Sequence, residues 1–224
     1  MTKKTVVVLG ASGLIGNLLT LELLKDGSVE KVRVVVRKPI QLQHEKLEVA
    51  ICNFNSLENL TACIGQGDAL FCCIGTTQKQ VNGNKEAYRK IDFDIPVQAA
   101  NIAKQREFSS YLLVSAIGAN TQASGFYLRL KGEVEQAIEQ LNFPSFHIFR
   151  PSFLLGERKE FRMGEIIAKY IFKAISFFLV GSLQKYKAIE AVDVAKAMVA
   201  ASKLATNRTK IYTYIDMVSL SNKG

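Results

Sequence analysis

Short apolar runs alternate with amphipathic segments along most of the chain. The runs are rich in valine, isoleucine and leucine and contain few polar residues, which is typical of strands buried on both faces. They predict strands at residues 5–9, 32–36, 47–52, 68–73, 111–114, 143–149, 186–189 and 211–214. Between them, apolar residues recur at helical spacing and predict helices over 14–24, 85–105, 126–141, 164–178 and 191–204, with Pro96 at a break or a first turn. Strands that alternate with helices predict an α/β fold with a doubly wound parallel sheet.

A glycine-rich turn connects the first predicted strand to the first predicted helix. Its sequence over residues 10–16 is Gly-Ala-Ser-Gly-Leu-Ile-Gly. In such a turn Gly10 permits the tight bend, Gly13 lets a phosphate approach the backbone, and Gly16 lets the helix pack close to the strand. A pyrophosphate can then sit on the positively polarised N-terminus of the helix. The spacing also suits a purely structural turn, but its place between a strand and a helix favours dinucleotide binding.

The length of the chain limits the number of domains. A chain of 224 residues accommodates one large α/β domain, whereas two full domains would be cramped. The pattern is less regular after Pro151. We therefore predict a single Rossmann-like, NAD(P)-binding domain over residues 1–224, in which about 151–224 contributes a smaller lobe on the substrate side.

The basic residues Arg37 and Lys38 follow the second predicted strand. In dinucleotide-binding sheets this position meets the adenosine ribose, where a carboxylate binds the hydroxyls of NAD and an arginine accommodates the 2′-phosphate of NADP. The two residues also suit a simple basic cap at the surface, but the preceding glycine turn favours NADP(H) over NAD(H). Asn53 follows the third strand and can hydrogen-bond an adenine, and Gly75 follows the fourth strand, where a glycine lets a cofactor pass close to the backbone.

Three residues have the chemistry of proton transfer. Tyr127 and Lys131 lie one turn apart in a predicted helix and share a face, and Ser115 follows the fifth strand at the carboxyl edge of the sheet. A phenol ordinarily has a pKa near ~10, and a neighbouring ammonium favours its ionised form. The lysine can also hold a nicotinamide ribose, while the serine hydroxyl can bind a substrate carbonyl. We predict Ser115, Tyr127 and Lys131 as catalytic residues, with a surface helix pair as the alternative interpretation.

The net charge of the chain is strongly positive. There are 29 lysines and arginines against 20 aspartates and glutamates, which gives a formal net charge of +9. Such a surplus suits anionic ligands, including nucleic acids and acidic membrane surfaces. The basic residues are scattered, however, with no arginine-rich run and no nucleic-acid-binding motif. We therefore expect no nucleic-acid partner and interpret the surplus as a solvated surface with a few phosphate contacts.

The cysteines and the longest apolar region indicate where in the cell the protein is expected. The four cysteines, at 52, 63, 72 and 73, show no C-x-x-C pair and no zinc spacing, which predicts reduced thiols and no metal site. The apolar region 166–180 contains Lys169 and Lys173 and is too short to span a bilayer. We therefore expect a soluble, cytoplasmic protein without a transmembrane segment.

Several sequence blocks together resemble a known family. They are GASG at 10–13, FCCIGTT at 71–77, FYLRLKGEVE at 126–135, and FRP with LL at 149–151 and 154–155. With them the chain resembles an atypical member of the short-chain dehydrogenase/reductase superfamily. It is more closely similar to the Tat-interacting-protein-like oxidoreductase family, whose human member binds NADPH. The similarity extends over nearly the whole chain and loosens after about Ala174.

The resemblance implies specific roles for individual residues. The implied cofactor contacts are Ser12, Gly13, Leu14 and Ile15 in the phosphate loop, Arg37 and Lys38 at the 2′-phosphate, Ile74 and Gly75 after the fourth strand, Tyr127 and Lys131 at the nicotinamide ribose, and Leu154 and Arg162 at the far end. Lys38 departs from the family, where an arginine pair is usual, and Asn53 stands in place of an acidic residue. These departures concern the adenosine contacts and leave the class of protein unchanged.

Two functions remain open at this point. The first is an NADP(H)-dependent oxidoreductase that transfers hydride to or from a small carbonyl or alcohol, which the serine, tyrosine and lysine set favours. The second is an NADP(H)-binding regulatory or scaffold protein that acts through a protein partner, as the resemblance also implies. The segment 166–180 suits a substrate lid, a homodimer seam, a membrane-surface contact or a core helix. A nucleoside-dependent methyltransferase is disfavoured because Arg37 stands where an acidic residue is expected.

Overall fold

A computed structural model describes residues 3–156 and 181–222. Its strands are β1 (Lys4–Leu9), β2 (Val29–Val36), β3 (Leu47–Ile51), β4 (Ala69–Cys72), β5 (Ser110–Val114), β6 (Ser145–Phe149), β7 (Leu154–Leu155), β8 (Ile189–Glu190) and β9 (Thr209–Tyr212). Its α-helices are α1 (Leu14–Lys25), α2 (Leu57–Ile64), α3 (Lys85–Arg89), α4 (Ile95–Gln105), α5 (Phe126–Glu139), α6 (Ala191–Ala201) and α7 (Tyr214–Ser221). A π-helical turn over Lys90–Asp94 joins α3 to α4, and a 3₁₀ helix spans Gly181–Tyr186.

The main sheet has seven strands in the order β3-β2-β1-β4-β5-β6-β9, and every neighbouring pair is parallel. The order reverses direction beside β1, because β2 and β3 lie on one side of that strand and the later strands lie on the other. This confirms the doubly wound, Rossmann-like α/β fold. In such a sheet, ligands bind outside the carboxyl ends of the strands at the point of reversal.

Both faces are buried at the centre of the sheet, which explains why the central strands β1, β4 and β5 are mostly apolar. Val6 and Val8 of β1 pack in a core with α1, α6 and α7, whereas Val7 and Leu9 pack in a second core with α2, α4 and α5. The alternation follows from the two-residue period of a strand. The central strands therefore stabilise two helical layers at once.

The elements after Pro151 depart most from the predictions. The predicted strand 186–189 is wrong, because the chain forms the 3₁₀ helix up to Tyr186 and only Ile189–Glu190 pair, with β7. The predicted strand 211–214 is displaced to Thr209–Tyr212, because a reciprocal capping box between Thr213 and Asp216 starts α7 at Tyr214. The predicted helix 164–178 lies outside the described residues.

The second helical layer also differs from the predictions. α2 was not predicted, although Ser56 is an evident N-cap whose hydroxyl accepts a hydrogen bond from the amide of Asn59 at 3.2 Å. The predicted helix 85–105 is interrupted by the π-helical turn, and Pro96 occupies the first turn of α4 directly after it.

The described part of the C-terminal region completes the main sheet. β9 forms its last strand and α6 packs against α1, while β7 and β8 form a small separate sheet. A smaller lobe on the substrate side therefore stays a prediction. Within residues 3–156 and 181–222, no helix combines the length and the apolar character that crossing a membrane requires.

Candidate active site

The glycine turn brings β1, α1 and the end of β4 into close contact. Gly10 has a φ of +82°, and a Cβ atom there would lie 2.7 Å from the carbonyl oxygen of Cys73. A Cβ atom on Gly16 would lie 2.2 Å from the carbonyl oxygen of Gly10. Gly13 donates its amide hydrogen to that same oxygen at 2.9 Å. The turn therefore requires glycine at positions 10 and 16 for steric reasons.

The start of α1 is open at the carboxyl edge of the sheet. Gly13 is its N-cap, no side chain caps the helix, and its first turn contains no acidic residue. Ser12 and Gly13 are exposed, whereas Leu14 is half-buried and Ile15 is buried in the core. The unpaired amides and the helix dipole at this position favour an anion.

Replacing Gly16 with alanine is expected to destabilise the protein by about 1–3 kcal/mol, because the new methyl group would collide with backbone rather than with a movable side chain. Urea denaturation measures this loss. Gly27→Ala is the matched control, since nothing lies within 4 Å of a Cβ atom there. Equal stability of the two variants would contradict the steric role of Gly16.

A groove lies beside the ends of β2 and β3, with a volume of about 720 Å³. This volume is within the range of small-molecule sites. It is lined by Arg37, by the asparagines at 53, 55 and 59, and by Lys90 and Ile91 of the π-helical turn. No carboxylate occurs among the described residues that line it. Lys38 is exposed but does not line the groove.

Asn53 is held in place by hydrogen bonds at the end of β3. Its amide donates to the side-chain oxygen of Asn59 at 2.8 Å, and its own side-chain oxygen accepts from the amide of Asn55 at 3.1 Å. The side-chain NH₂ of Asn53 is thereby oriented by the loop. An adenine contact from Asn53 stays a prediction that this arrangement suits.

A buried carboxylate connects the end of β4 to helix α5. Asp92 is 1% exposed and accepts a hydrogen bond from the amide of Thr76 at 2.7 Å. Its other carboxylate oxygen lies 3.0 Å from the ammonium nitrogen of Lys131. Tyr88 donates its hydroxyl hydrogen to the carbonyl of Thr76 at 3.1 Å. Thr76 directly follows Ile74 and Gly75, which are predicted to line the cofactor. Asp92 therefore holds both this turn and the side chain of Lys131 in place.

Lys131 is held beside Tyr127 as the helix spacing predicted. Its nitrogen lies 6.0 Å from the centroid of the Tyr127 ring, and that ring also contacts the edge of Tyr88 at 6.4 Å between centroids. Burial alone would lower the pKa of Lys131, but the charges of Asp92 and Tyr127 outweigh it and raise the pKa above its ordinary value. The ion pair with Asp92 therefore favours the charged form of Lys131. Tyr127 is 41% exposed and accessible to a ligand.

Ser115 follows β5 at the same edge of the sheet. Its amide donates to the carbonyl of Phe149 at 2.7 Å, which fixes its backbone. Its hydroxyl is buried and has no hydrogen-bond partner among the described residues. Buried hydroxyls are nearly always satisfied, so this oxygen is suited to a bound ligand. The structure records contacts among Tyr127, Lys131 and Asp92, but none between Ser115 and these three.

The two remaining predicted contacts lie on the C-terminal side. Leu154 is half-buried in β7, and a Cβ atom on the nearby Gly156 would lie 3.2 Å from the side chain of Leu14. The end of β7 therefore approaches the start of α1. Arg162 lies outside the described residues.

Asp92 and Lys90 were missed by the sequence predictions. The signal for Asp92 was a charged residue between apolar neighbours in a helical pattern, together with a predicted lysine on the inner face of α5 that needed a counter-ion. No comparable signal marks Lys90, because exposed lysines are common on helices. Its place in the groove follows from the tertiary fold.

Comparison with known proteins supports the same interpretation of the fold. The family model described as NAD(P)H-binding matches residues 10–203. Protein HTATIP2 of Rattus norvegicus is 32% identical over 201 residues, covering 88% of this chain and 81% of the relative. The enzyme WbmH of Bordetella bronchiseptica, solved in complex with NAD+, has a TM-score of 0.73 over 95% of this chain and 76% of that chain. At 16% identity, that likeness concerns the fold alone.

Fungal relatives correct the expected location. Protein FMP52-1, mitochondrial, of Scheffersomyces stipitis is 35% identical over 156 residues, which cover 68% of each chain. Other fungal relatives are also named mitochondrial. The cytoplasmic expectation is therefore wrong. It depended on reduced cysteines, and these do not distinguish one reducing compartment from another.

Proposed function

The chain belongs to the NAD(P)H-binding family, and from that membership we propose that it is an NADP(H)-dependent oxidoreductase acting on a small carbonyl or alcohol. The observation that carries the proposal is the arrangement of Tyr127, Lys131 and Asp92, with Asp92 close to Gly75 after β4. In a simple surface helix pair, both side chains would be exposed to solvent. Here Lys131 is buried against the carboxylate of Asp92, and only Tyr127 is accessible. Perturbed, buried ionisable groups at the edge of a ligand cleft are typical of functional sites.

The residues present fit a dinucleotide. The first turn of α1 has no side-chain cap and is open to a pyrophosphate, the groove beside Arg37 has the size for an adenosine, and the hydroxyl of Ser115 lacks a protein partner among the described residues. Arg37, the glycine turn, Gly75, Tyr127 and Lys131 would hold the cofactor. When bound, the nicotinamide supplies or accepts the hydride.

The chain itself would supply the proton and hold the substrate. Tyr127 would donate its hydroxyl proton to the carbonyl oxygen during reduction and take it back during oxidation. The ammonium of Lys131 would stabilise the phenolate left behind, since the low-dielectric surroundings strengthen that attraction. Ser115 would donate a hydrogen bond to the same carbonyl oxygen and orient it. Asp92 would keep Lys131 charged and in place.

The charges in the groove support a preference for NADP(H). Arg37 lines it without an acidic partner among the described residues, and a guanidinium can bind a phosphate in bidentate fashion. We expect NADPH to bind about 10–100-fold more tightly than NADH. We expect Arg37→Gln to remove most of that difference, with little effect on NADH affinity.

Fluorescence titration with NADPH and with NADH measures the preference, and a panel of small carbonyl compounds then tests turnover with the cofactor that binds. Equal affinities for the two cofactors would contradict the NADP(H) preference. Tight NADPH binding without turnover of any carbonyl or alcohol would favour the regulatory alternative instead. The segment 166–180, whose apolar character is the best support for that alternative in the sequence, lies outside the described residues.

A further inference from the structure

Two cations from distant parts of the chain line the same groove. Arg37 follows β2, and Lys90 opens the π-helical turn before α4. Neither takes part in an ion pair within the described residues, whereas Arg33, Arg89, Lys131 and Arg150 each contact a carboxylate. The charges of Arg37 and Lys90 are therefore available to a ligand.

The remaining lining of the groove matches the other parts of an adenosine. Phe54, Ile91 and Ile95 supply apolar surface for a base, and Asn53 and its neighbouring asparagines supply hydrogen-bonding groups. No carboxylate lines the groove in the described part of the chain, so nothing there neutralises the two cations. A phosphate monoester carries a charge of about −1.5 to −2 at neutral pH, which two cations balance better than one.

The π-helical turn explains why Lys90 is available for this role. Asp92, two positions later in the same turn, is buried against Lys131, whereas Lys90 is exposed and lines the groove. The same short segment thus buries Asp92 in the protein and exposes Lys90 to the groove. π-helical turns inside helices are often found at functional sites.

We propose that Lys90 is the second cation of the 2′-phosphate subsite and that it acts together with Arg37 to select a phosphorylated adenosine. This inference rests on the proposed NADP(H) function and deepens it. Lys38, which the sequence places next to Arg37, does not line the groove, so Lys90 takes the role that chain proximity assigned to Lys38. A lysine provides a point charge, while Arg37 provides the directional contact.

The test compares binding of nucleotide pairs that differ only in the 2′-phosphate. Calorimetry or fluorescence titration of the whole protein measures NADPH against NADH, and adenosine 2′,5′-bisphosphate against 5′-AMP. We expect Lys90→Gln to weaken NADPH and the bisphosphate about tenfold, while NADH and 5′-AMP change less than about twofold. Lys90→Arg should retain most of the affinity, because it keeps the charge.

Two further lysine variants separate a local contact from a general loss of positive charge. Lys196→Gln removes the same charge from an exposed position of α6, a helix that packs in the other helical layer. This variant should leave every affinity unchanged. Lys38→Gln should have a smaller effect than Lys90→Gln. Circular dichroism verifies that the Lys90 variants are folded.

The outcomes distinguish this inference from the function on which it rests. A wild-type protein that binds NADPH and NADH equally would overturn both. A wild-type preference for NADPH that survives in Lys90→Gln, or that is lost instead in Lys38→Gln, would overturn the role of Lys90 alone. Equal losses in Lys90→Gln and Lys196→Gln would show that only the overall charge matters and would also overturn it.

Discussion

Replacing Tyr127 with phenylalanine is expected to lower kcat for carbonyl reduction by about 10²–10⁴-fold, the usual contribution of general acid catalysis. The ring stays in place, so its edge contact with Tyr88 and its position near Lys131 should survive. Only the proton donor is removed. The affinity for NADPH should therefore change by less than about threefold, which single-turnover kinetics and cofactor titration measure separately.

Tyr214→Phe is the matched control for the Tyr127 variant. Tyr214 is a half-buried tyrosine at the start of α7, in the helical layer opposite α5. Losing its hydroxyl should leave kcat unchanged. If Tyr127→Phe kept wild-type turnover, the phenol would not be the proton donor and the proposed mechanism would fail. If the variant lost NADPH binding instead, Tyr127 would serve the cofactor rather than the chemistry.

The parts of the fold that the sequence predicted are those in which local pattern and tertiary environment agree. Strands β1, β4 and β5 are apolar because both of their faces are covered, and a continuous apolar run already indicates that environment. The glycine turn was predictable for a related reason. Its glycines are needed for contacts between neighbouring elements, and a strand followed by a helix limits where those contacts occur.

Capping explains most of the elements that were missed or displaced. Helices α2 and α7 are short and begin at side-chain caps on Ser56 and Thr213, so their apolar periodicity covers too few turns to stand out. The short strand β8 exists only because β7 pairs with it. A two-residue strand has no pattern of its own, and its partner is known only from the tertiary structure.

The candidate site also contains some residues that the sequence predicted and others that it did not. Tyr127 and Lys131 share a helix, so their juxtaposition follows from the period of the helix. Asp92 contacts Lys131 and Lys90 lines the groove, although both belong to an element distant in sequence from α5 and β2. They lie in a π-helical turn, in which the spacing of side chains differs from that of an α-helix. Sequence proximity suggested Lys38 as the partner of Arg37, but proximity along an extended chain does not determine which side chains face the same groove.

Replacing Asp92 with asparagine is expected to reduce both stability and activity, because it leaves the ammonium of Lys131 buried without a counter-charge. Breaking a buried ion pair by removing one partner costs about 3–5 kcal/mol. The pKa of Lys131 is raised in the folded protein, so the pair stabilises the fold below the ordinary lysine pKa of ~10.4 and ceases to do so as the pH rises past the raised value. Denaturation at neutral pH and at high pH measures this difference.

The pH dependence of turnover separates a positioning role for Asp92 from a purely structural one. Without the carboxylate, burial becomes the main influence and the pKa of Lys131 should fall below its ordinary value. The alkaline loss of kcat should then begin at a lower pH than in the wild type, with kcat at neutral pH reduced about 10–100-fold. Asp92→Glu, which keeps the charge, should restore the position of the alkaline limb.

Asp94→Asn is the control for this shift, since Asp94 belongs to the same π-helical turn and is only half-buried. It removes a carboxylate without touching Lys131, so its pH profile should match the wild type. If Asp92→Asn folded and lost kcat by the same factor at every pH, the carboxylate would support the turn at Thr76 without tuning Lys131. An unchanged kcat would exclude Asp92 from the catalytic arrangement.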